Sequence, residues 1–163
     1  MTTLNRKIDE AVMLTKAEEY LQALTAFMEI YGGEDPPSVL MSAKTATGLS
    51  FFGLCLALVQ RKFKPAIELC KRALELQFYN GDHYANLSRV YTAAGNRKKA
   101  LETVEAGLKL LPEHESLLAA RQALGVRSRP AVPFLDRSHP INVTLGQARH
   151  AKKLAERAPR RKK

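Results

Sequence analysis

The chain has 163 residues, 26 Lys/Arg against 16 Asp/Glu and a formal net charge of +10, a length that fits one domain with an appended segment. No apolar run approaches the roughly 18 residues a membrane span needs. The N-terminal Met-Thr-Thr-Leu-Asn-Arg-Lys lacks the apolar core and small-residue cleavage site of a secretory signal, so cytoplasmic residence is expected.

The charge is unevenly placed. Residues 126–163 carry eleven Lys/Arg against Asp136 and Glu156, whereas residues 1–125 carry fifteen against fourteen acidic residues. The basic character therefore belongs to the tail. Two cysteines, Cys55 and Cys70, are too few for a disulfide framework or a structural zinc site. Both fall in apolar helical patterns, where small buried hydrophobes are expected; a redox pair is the alternative reading.

In chain order, Leu4, Ile8, Ala11, Val12 and Thr15 recur at helical spacing and predict one amphipathic helix. After a break near Lys16 to Glu18, Tyr20, Ala23, Leu24, Phe27 and Ile30 predict a second, stopped by Gly32-Gly33. Residues 33–46 read as a connection, because Pro36 and Pro37 lack an N–H and constrain the residue before them; Ser38 to Ala43 add a short helical turn. The most apolar helix runs from about Thr47 to Gln60, with Leu49, Phe52, Gly53 and Leu56 on its packing side. Gly53 costs about 1 kcal/mol against alanine in a helix interior, which close approach of a neighbouring helix would offset. Arg61-Lys62 mark a turn, and Phe63, Ala66, Ile67, Cys70, Ala73 and Leu74 form the stripe of the partner helix.

The stretch from Gly81 to His114 is the most regular. Tyr84, Leu87, Tyr91, Ala100, Val104 and Pro112 fall at the spacing of a helix, a tight Gly95-Asn96 turn, an antiparallel helix and a proline stop. Glu113 to Leu124 then predicts a single helix with Leu117, Ala120 and Leu124 on one side, ended by Gly125. From Val126 the composition changes, and Arg127 to Leu135 should be extended, with Val132, Phe134 and Leu135 packing back on that helix. His139-Pro140 opens a last helix, with Ile141, Leu145, Ala148 and Ala155 as a thin apolar stripe, and Arg160 to Lys163 should be disordered.

Residues 81–112 resemble the tetratricopeptide repeat closely, 47–79 well, and 4–32 in degenerate form. Ala66 and Ala100 lie 34 residues apart, the repeat length of that family. Ala23 precedes Ala66 by 43 residues, the excess being assigned to the Pro-containing connection and to one residue inserted in the Arg61-Lys62 turn. The resemblance implies an all-α, tetratricopeptide-repeat-like α-solenoid of stacked antiparallel helix pairs over residues 1–125, with repeats at about 4–32, 46–79 and 81–114 and a capping helix at 113–124. Residues 126–163 form a basic, partly helical extension.

The family's concave face is lined by the first helix of each repeat and receives a peptide or protein segment. Carried onto this sequence, it implies Ile8, Asp9 and Val12, then Phe51, Leu54 and Leu58, then Asp82, Ala85, Asn86 and Arg89 as partner-binding residues. Ordinary core is the competing reading for Phe51, Leu54 and Leu58, whereas the amide of Asn86 and the guanidinium of Arg89 suit a peptide backbone or carboxylate. Chaperone-adaptor repeats that grip a C-terminal carboxylate are disfavoured: Ile8, Val12 and Asp82 stand where Lys, Asn and Lys would be wanted. The secretion chaperones of bacterial type III systems, also three repeats long, remain an alternative, although those are mostly acidic.

No phosphate loop, nucleophile elbow or His-Glu-x-x-His zinc motif is present, and His83 and His114, at repeat boundaries, read as surface or capping residues. The function expected is a non-catalytic adaptor of bacterial type with no cofactor or metal. The rival is a nucleic-acid-associated protein, or one bound to an anionic surface, using Arg149, Lys152, Lys153, Arg157, Arg160, Arg161, Lys162 and Lys163. Self-association through the exposed end of the first repeat is a third reading.

Overall fold

The computed structural model describes residues 3–32, 43–125, 132 and 139–157. Most of the helical turn expected over 38–43, the segment 127–135 apart from Val132, and the chain end 160–163 lie outside the described residues. Every helix or strand assigned among those described is helical: α1 Thr3–Lys16, α2 Tyr20–Tyr31, α3 Ala43–Cys55 continued by a π-helical turn Leu56–Gln60, α4 Phe63–Leu76, α5 Gly81–Ala93, α6 Arg97–Leu110, α7 Glu115–Leu124 and α8 Pro140–Arg157. They divide into two compact units, Met1–Gly125 and Val126–Lys163.

In the first unit α1 packs on α2, α3 on α4 and α5 on α6; α3 touches α1 and α5, and α7 closes against α5 and α6. This is an α-solenoid of helix pairs. Each pair turns on a residue in the left-handed region: Glu18 at φ 64°, Arg61 at φ 59° and Gly95 at φ 76°. All three stand five residues before the packing alanine of the following helix, Ala23, Ala66 or Ala100. The third turn uses glycine, which has no Cβ to clash there; the other two place a β-carbon in a conformation that costs about 1 kcal/mol.

The same spacing relocates the extra residue of the second repeat. Arg61 to Ala66 spans the same five residues as Gly95 to Ala100, but Leu56 to Arg61 spans five where Tyr91 to Gly95 spans four. The insertion is therefore not in the Arg61-Lys62 turn, as the sequence suggests, but in the helix end, where it widens the last turn of α3 into a π-helix. A helix can absorb one residue this way without changing the turn that aims its partner.

Close helix crossings explain the buried glycines. A β-carbon on Gly53 would lie 2.8 Å from the Ala66 carbonyl oxygen and 2.9 Å from Cys70 Sγ, so α3 and α4 approach backbone to side chain. At the corresponding place in the third repeat, Ser88 Oγ donates to the Ala100 carbonyl at 2.9 Å. Gly107 in α6 has a packing reason: a β-carbon there would sit 2.9 Å from both Leu117 Cδ2 and Tyr84 Cβ. Leu117 of α7 is fully buried in that notch, and Arg121 Nε donates to Glu105 Oε1 at 2.7 Å. The first two repeats meet through Phe27, Tyr31 and Phe52, whose ring centroids are 5.6–6.3 Å apart. The Tyr31 hydroxyl occupies the space that Gly48 leaves open.

In the second unit, Asn142 near the start of α8 accepts from the Val132 amide at 2.8 Å and donates to the Val132 carbonyl at 3.1 Å. Ile141, Val143 and Leu145 are exposed.

Two stability tests follow. Gly53→Ala gains helix propensity of about 1 kcal/mol, but overpacking against a backbone oxygen costs about 1–3 kcal/mol. A lower urea midpoint is expected, and an unchanged or raised one would contradict the close crossing. Glu18→Gly should raise stability and Gly95→Ala lower it, each by about 1 kcal/mol or less; equal signs would contradict the shared turn geometry.

Candidate partner-binding groove

The first helices of the pairs, with α7, enclose a groove of about 590 Å³. Its lining comes from Thr15, Lys16 and Glu18 at the end of α1, Tyr20 opening α2, Phe51 of α3, Asp82, Ala85, Asn86 and Arg89 of α5, and Glu115, Ser116, Ala119, Ala120 and Ala123 of α7. Ala119 and Ala123 of α7 supply exposed apolar surface, whereas Phe51, Ala85 and Asn86 reach the groove only as its buried floor, 4%, 3% and 4% exposed; the charged groups stand around it.

Those polar groups are already arranged. Lys16 Nζ lies 3.6 Å from Asp82 Oδ2 and 5.7 Å above the centre of the Phe51 ring. Ser116 Oγ donates to the other Asp82 oxygen at 2.6 Å, so one carboxylate links three helices. Asn80 caps α5 by accepting from the Asp82 amide at 3.1 Å, which fixes the helix start from which Asp82 projects. Arg89 Nη2 donates to the Tyr20 hydroxyl at 2.7 Å, its guanidinium 5.9 Å from the ring centre. Asn86 donates to Ser50 Oγ at 3.1 Å. The exposed contacts of Lys16 and Arg89 are individually worth about 1 kcal/mol or less, and the Asn86–Ser50 hydrogen bond is buried; together they hold the side chains in set orientations.

The residues expected to bind a partner separate into two sets. Phe51, Asp82, Ala85, Asn86 and Arg89 come together in the groove. Asp9, Val12, Leu54 and Leu58 do not line it. Asp9 pairs with Lys44, Ile8 and Val12 are core, and Leu54 is fully buried; Leu58 is half-buried in the π-helical turn. Of the tail residues, Arg149 and Lys152 are exposed on α8. Lys153 and Arg157 belong to the same helix, and Arg160 to Lys163 lie outside the described residues.

α7 also lines the groove, beyond its expected role as a cap, and the sequence carries the signal for it. Moving Asp82, Ala85, Asn86 and Arg89 on by one 34-residue period gives Ser116, Ala119, Ala120 and Ala123, and all four line the groove. Treating α7 only as a cap hid that it occupies the place of a fourth first helix. Lys16 and Tyr20 were hidden because they flank the first turn rather than face inward along a helix.

Neither a protein-family model nor a curated protein matches the sequence, so likeness is found in structure. The second TPR domain of human RPAP3, solved with the HSP70 peptide SGPTIEEVD, superposes with a TM-score of 0.51 at 16% identity, over 74% of this chain and 92% of that one. The Hsp90 co-chaperone Cns1 from Saccharomyces cerevisiae gives a TM-score of 0.58 at 15% identity, over 94% of this chain; the chain spans 44% of the Cns1 chain. The fold is tetratricopeptide-like. At these identities the likeness concerns the fold alone.

Within this repeat array the buried titratable groups are held neutral. Burial pushes the Cys55 thiol up to about 11, against a hydrogen bond shared with Thr15, and also raises Cys70. Both are free, and protonated thiols are poor nucleophiles. Among the described residues no group of His, Cys, Asp and Glu could hold a metal ion. His83 corrects the surface reading: it is fully buried, since it stands one period before Leu117 and so takes a core position. Its Nε2 lies 3.3 Å from Gln77 Oε1, and burial lowers its pKa to about 4 despite the neighbouring Asp82.

That depression sets an acid limit. The unfolded chain takes up the His83 proton near 6.5, the folded chain only near about 4, so the unfolded state binds more protons between these values and stability falls as pH drops through that window. Thermal melts of wild type and His83→Gln should converge as pH falls from 6.5 towards 4. A constant gap across that range would remove His83 as the cause.

Proposed function

We propose that residues 1–125 act as a non-catalytic adaptor, of bacterial type and cytoplasmic, that holds a peptide or protein segment in the groove between α1, α3, α5 and α7. The observation that carries this reading is the groove itself. An apolar floor of Phe51, Ala85 and Ala120 is bordered by fixed polar groups on Lys16, Asp82 and Arg89, the pattern by which a site binds apolar side chains and orients them with a few polar contacts. Among the described residues no helix is long and apolar enough to cross a membrane.

The charge on the walls bears on what fits. Lys16 is paired with Asp82, and Glu18 and Glu115 also line the groove. A free carboxylate would meet these acids, whereas a neutral or mildly basic segment with an apolar anchor would not. This agrees with the absence of lysines at the positions where a carboxylate-gripping repeat would need them.

Ala119 is exposed on the groove wall, so Ala119→Arg fills the space without touching the core. Peptides selected from a displayed library on the full chain should bind Ala119→Arg and Arg89→Glu at least about tenfold more weakly, with melting temperatures little changed. Selected peptides that bind all three proteins equally would place their site elsewhere and end the groove reading.

A further inference from the structure

We propose that α8 is a membrane-surface element that lies on bilayers containing anionic phospholipid. This is independent of the groove and concerns the second unit by itself.

The helix combines two properties that a bilayer interface requires together. Ile141 and Leu145 are 47% and 42% exposed, so large apolar side chains face solvent although the helix start is fixed by the Asn142 bonds to Val132. Ile141, Leu145, Ala148 and Lys152 fall at i, i+4, i+7 and i+11, one stripe along the helix. The stripe is apolar for two turns and then ends in an exposed cation, with Arg149 exposed beside it. Lysine at such a place buries its methylenes and lifts its ammonium to the headgroups. Residues 126–163 carry eleven Lys/Arg and two acidic residues, and juxtamembrane cations gain from the negative surface potential of anionic leaflets.

The apolar half of the stripe separates this occupant from nucleic acid. Phosphate backbones would be met by Arg149 and Lys152, but Ile141 and Leu145 would stay in water. Residues 139–163 contain no Phe, Tyr or Trp on which bases could stack. An amphipathic helix on an anionic bilayer uses both sets: the acyl boundary takes the isoleucine and leucine, and the phosphates take the cations.

The test is flotation of the full chain with vesicles of phosphatidylcholine alone or mixed with phosphatidylserine, alongside binding to a DNA and an RNA oligonucleotide. Binding to the mixed vesicles is expected, at least about tenfold tighter than to phosphatidylcholine alone. The paired change Ile141→Ser with Leu145→Ser leaves every charge in place and should weaken vesicle binding about tenfold or more. Arg149→Glu with Lys152→Glu should weaken it by about fivefold or more per residue and steepen no other property. Because all four residues are exposed, circular dichroism should show an intact fold. Failure to bind mixed vesicles at physiological salt overturns the proposal. So does oligonucleotide binding tighter than vesicle binding and unaffected by the Ile141 and Leu145 changes.

Discussion

The array depends on how closely the two helices of each pair can cross. One position governs it: Ala11, Gly53 and Ser88 stand at matching places on the first helices, opposite Ala23, Ala66 and Ala100. Ala11, Ala23, Ala66 and Ala100 are all fully buried, and Ser88 is 1% exposed. Around this crossing the second repeat buries Phe52, Leu54 and Leu56, and its small residue is glycine, whose added β-carbon would meet the Ala66 carbonyl oxygen. Close approach by α4 also pins α3, so that the π-helical turn at its end can take up an extra residue without moving Phe51 off the groove. Packing thus comes first, and the groove is its by-product.

Most of the fold was legible in the sequence because the repeat repeats. The 34-residue interval between Ala66 and Ala100 carries helix, turn and helix with it, and the small residue at each crossing confirms the phase. What could not be read was where irregularity would be absorbed. Spacing between landmark alanines counts an inserted residue but does not say whether a turn or a helix takes it. Only the left-handed residues Glu18, Arg61 and Gly95 divide the interval and assign the insertion to the helix. Positive φ at Glu18 and Arg61 carries no residue signature, whereas Gly95 announces itself.

The groove was half legible for a related reason. Inward positions on α5 can be named from the period, and Asp82, Ala85, Asn86 and Arg89 line the concavity. The same rule applied to α1 gives Ile8, Asp9 and Val12, none of which lines the concavity: Ile8 and Val12 are core, Asp9 pairs with Lys44, and α1 reaches the groove only at its end, through Thr15 and Lys16. His83 shows the converse. A polar residue at a repeat boundary looks like surface, but its equivalence with Leu117 makes it core, and desolvation then removes its charge.

The polar groups of the groove are engaged with one another. Asp82 is held by Lys16 and Ser116 and Arg89 by Tyr20, so their rotamers are restricted and less ordering entropy remains to be lost on association. The same contacts act against a strongly charged ligand: it would have to displace Lys16 from a carboxylate or Arg89 from a phenol, losing about as much as it gains in a solvent-exposed site. Discrimination therefore falls to shape. Where Phe51 and Asn86 occupy this position in the second and third repeats, α7 presents Ala120, and the adjoining Ala119 and Ala123 widen that end of the groove. A segment held as proposed would gain most by placing one bulky apolar side chain against α7.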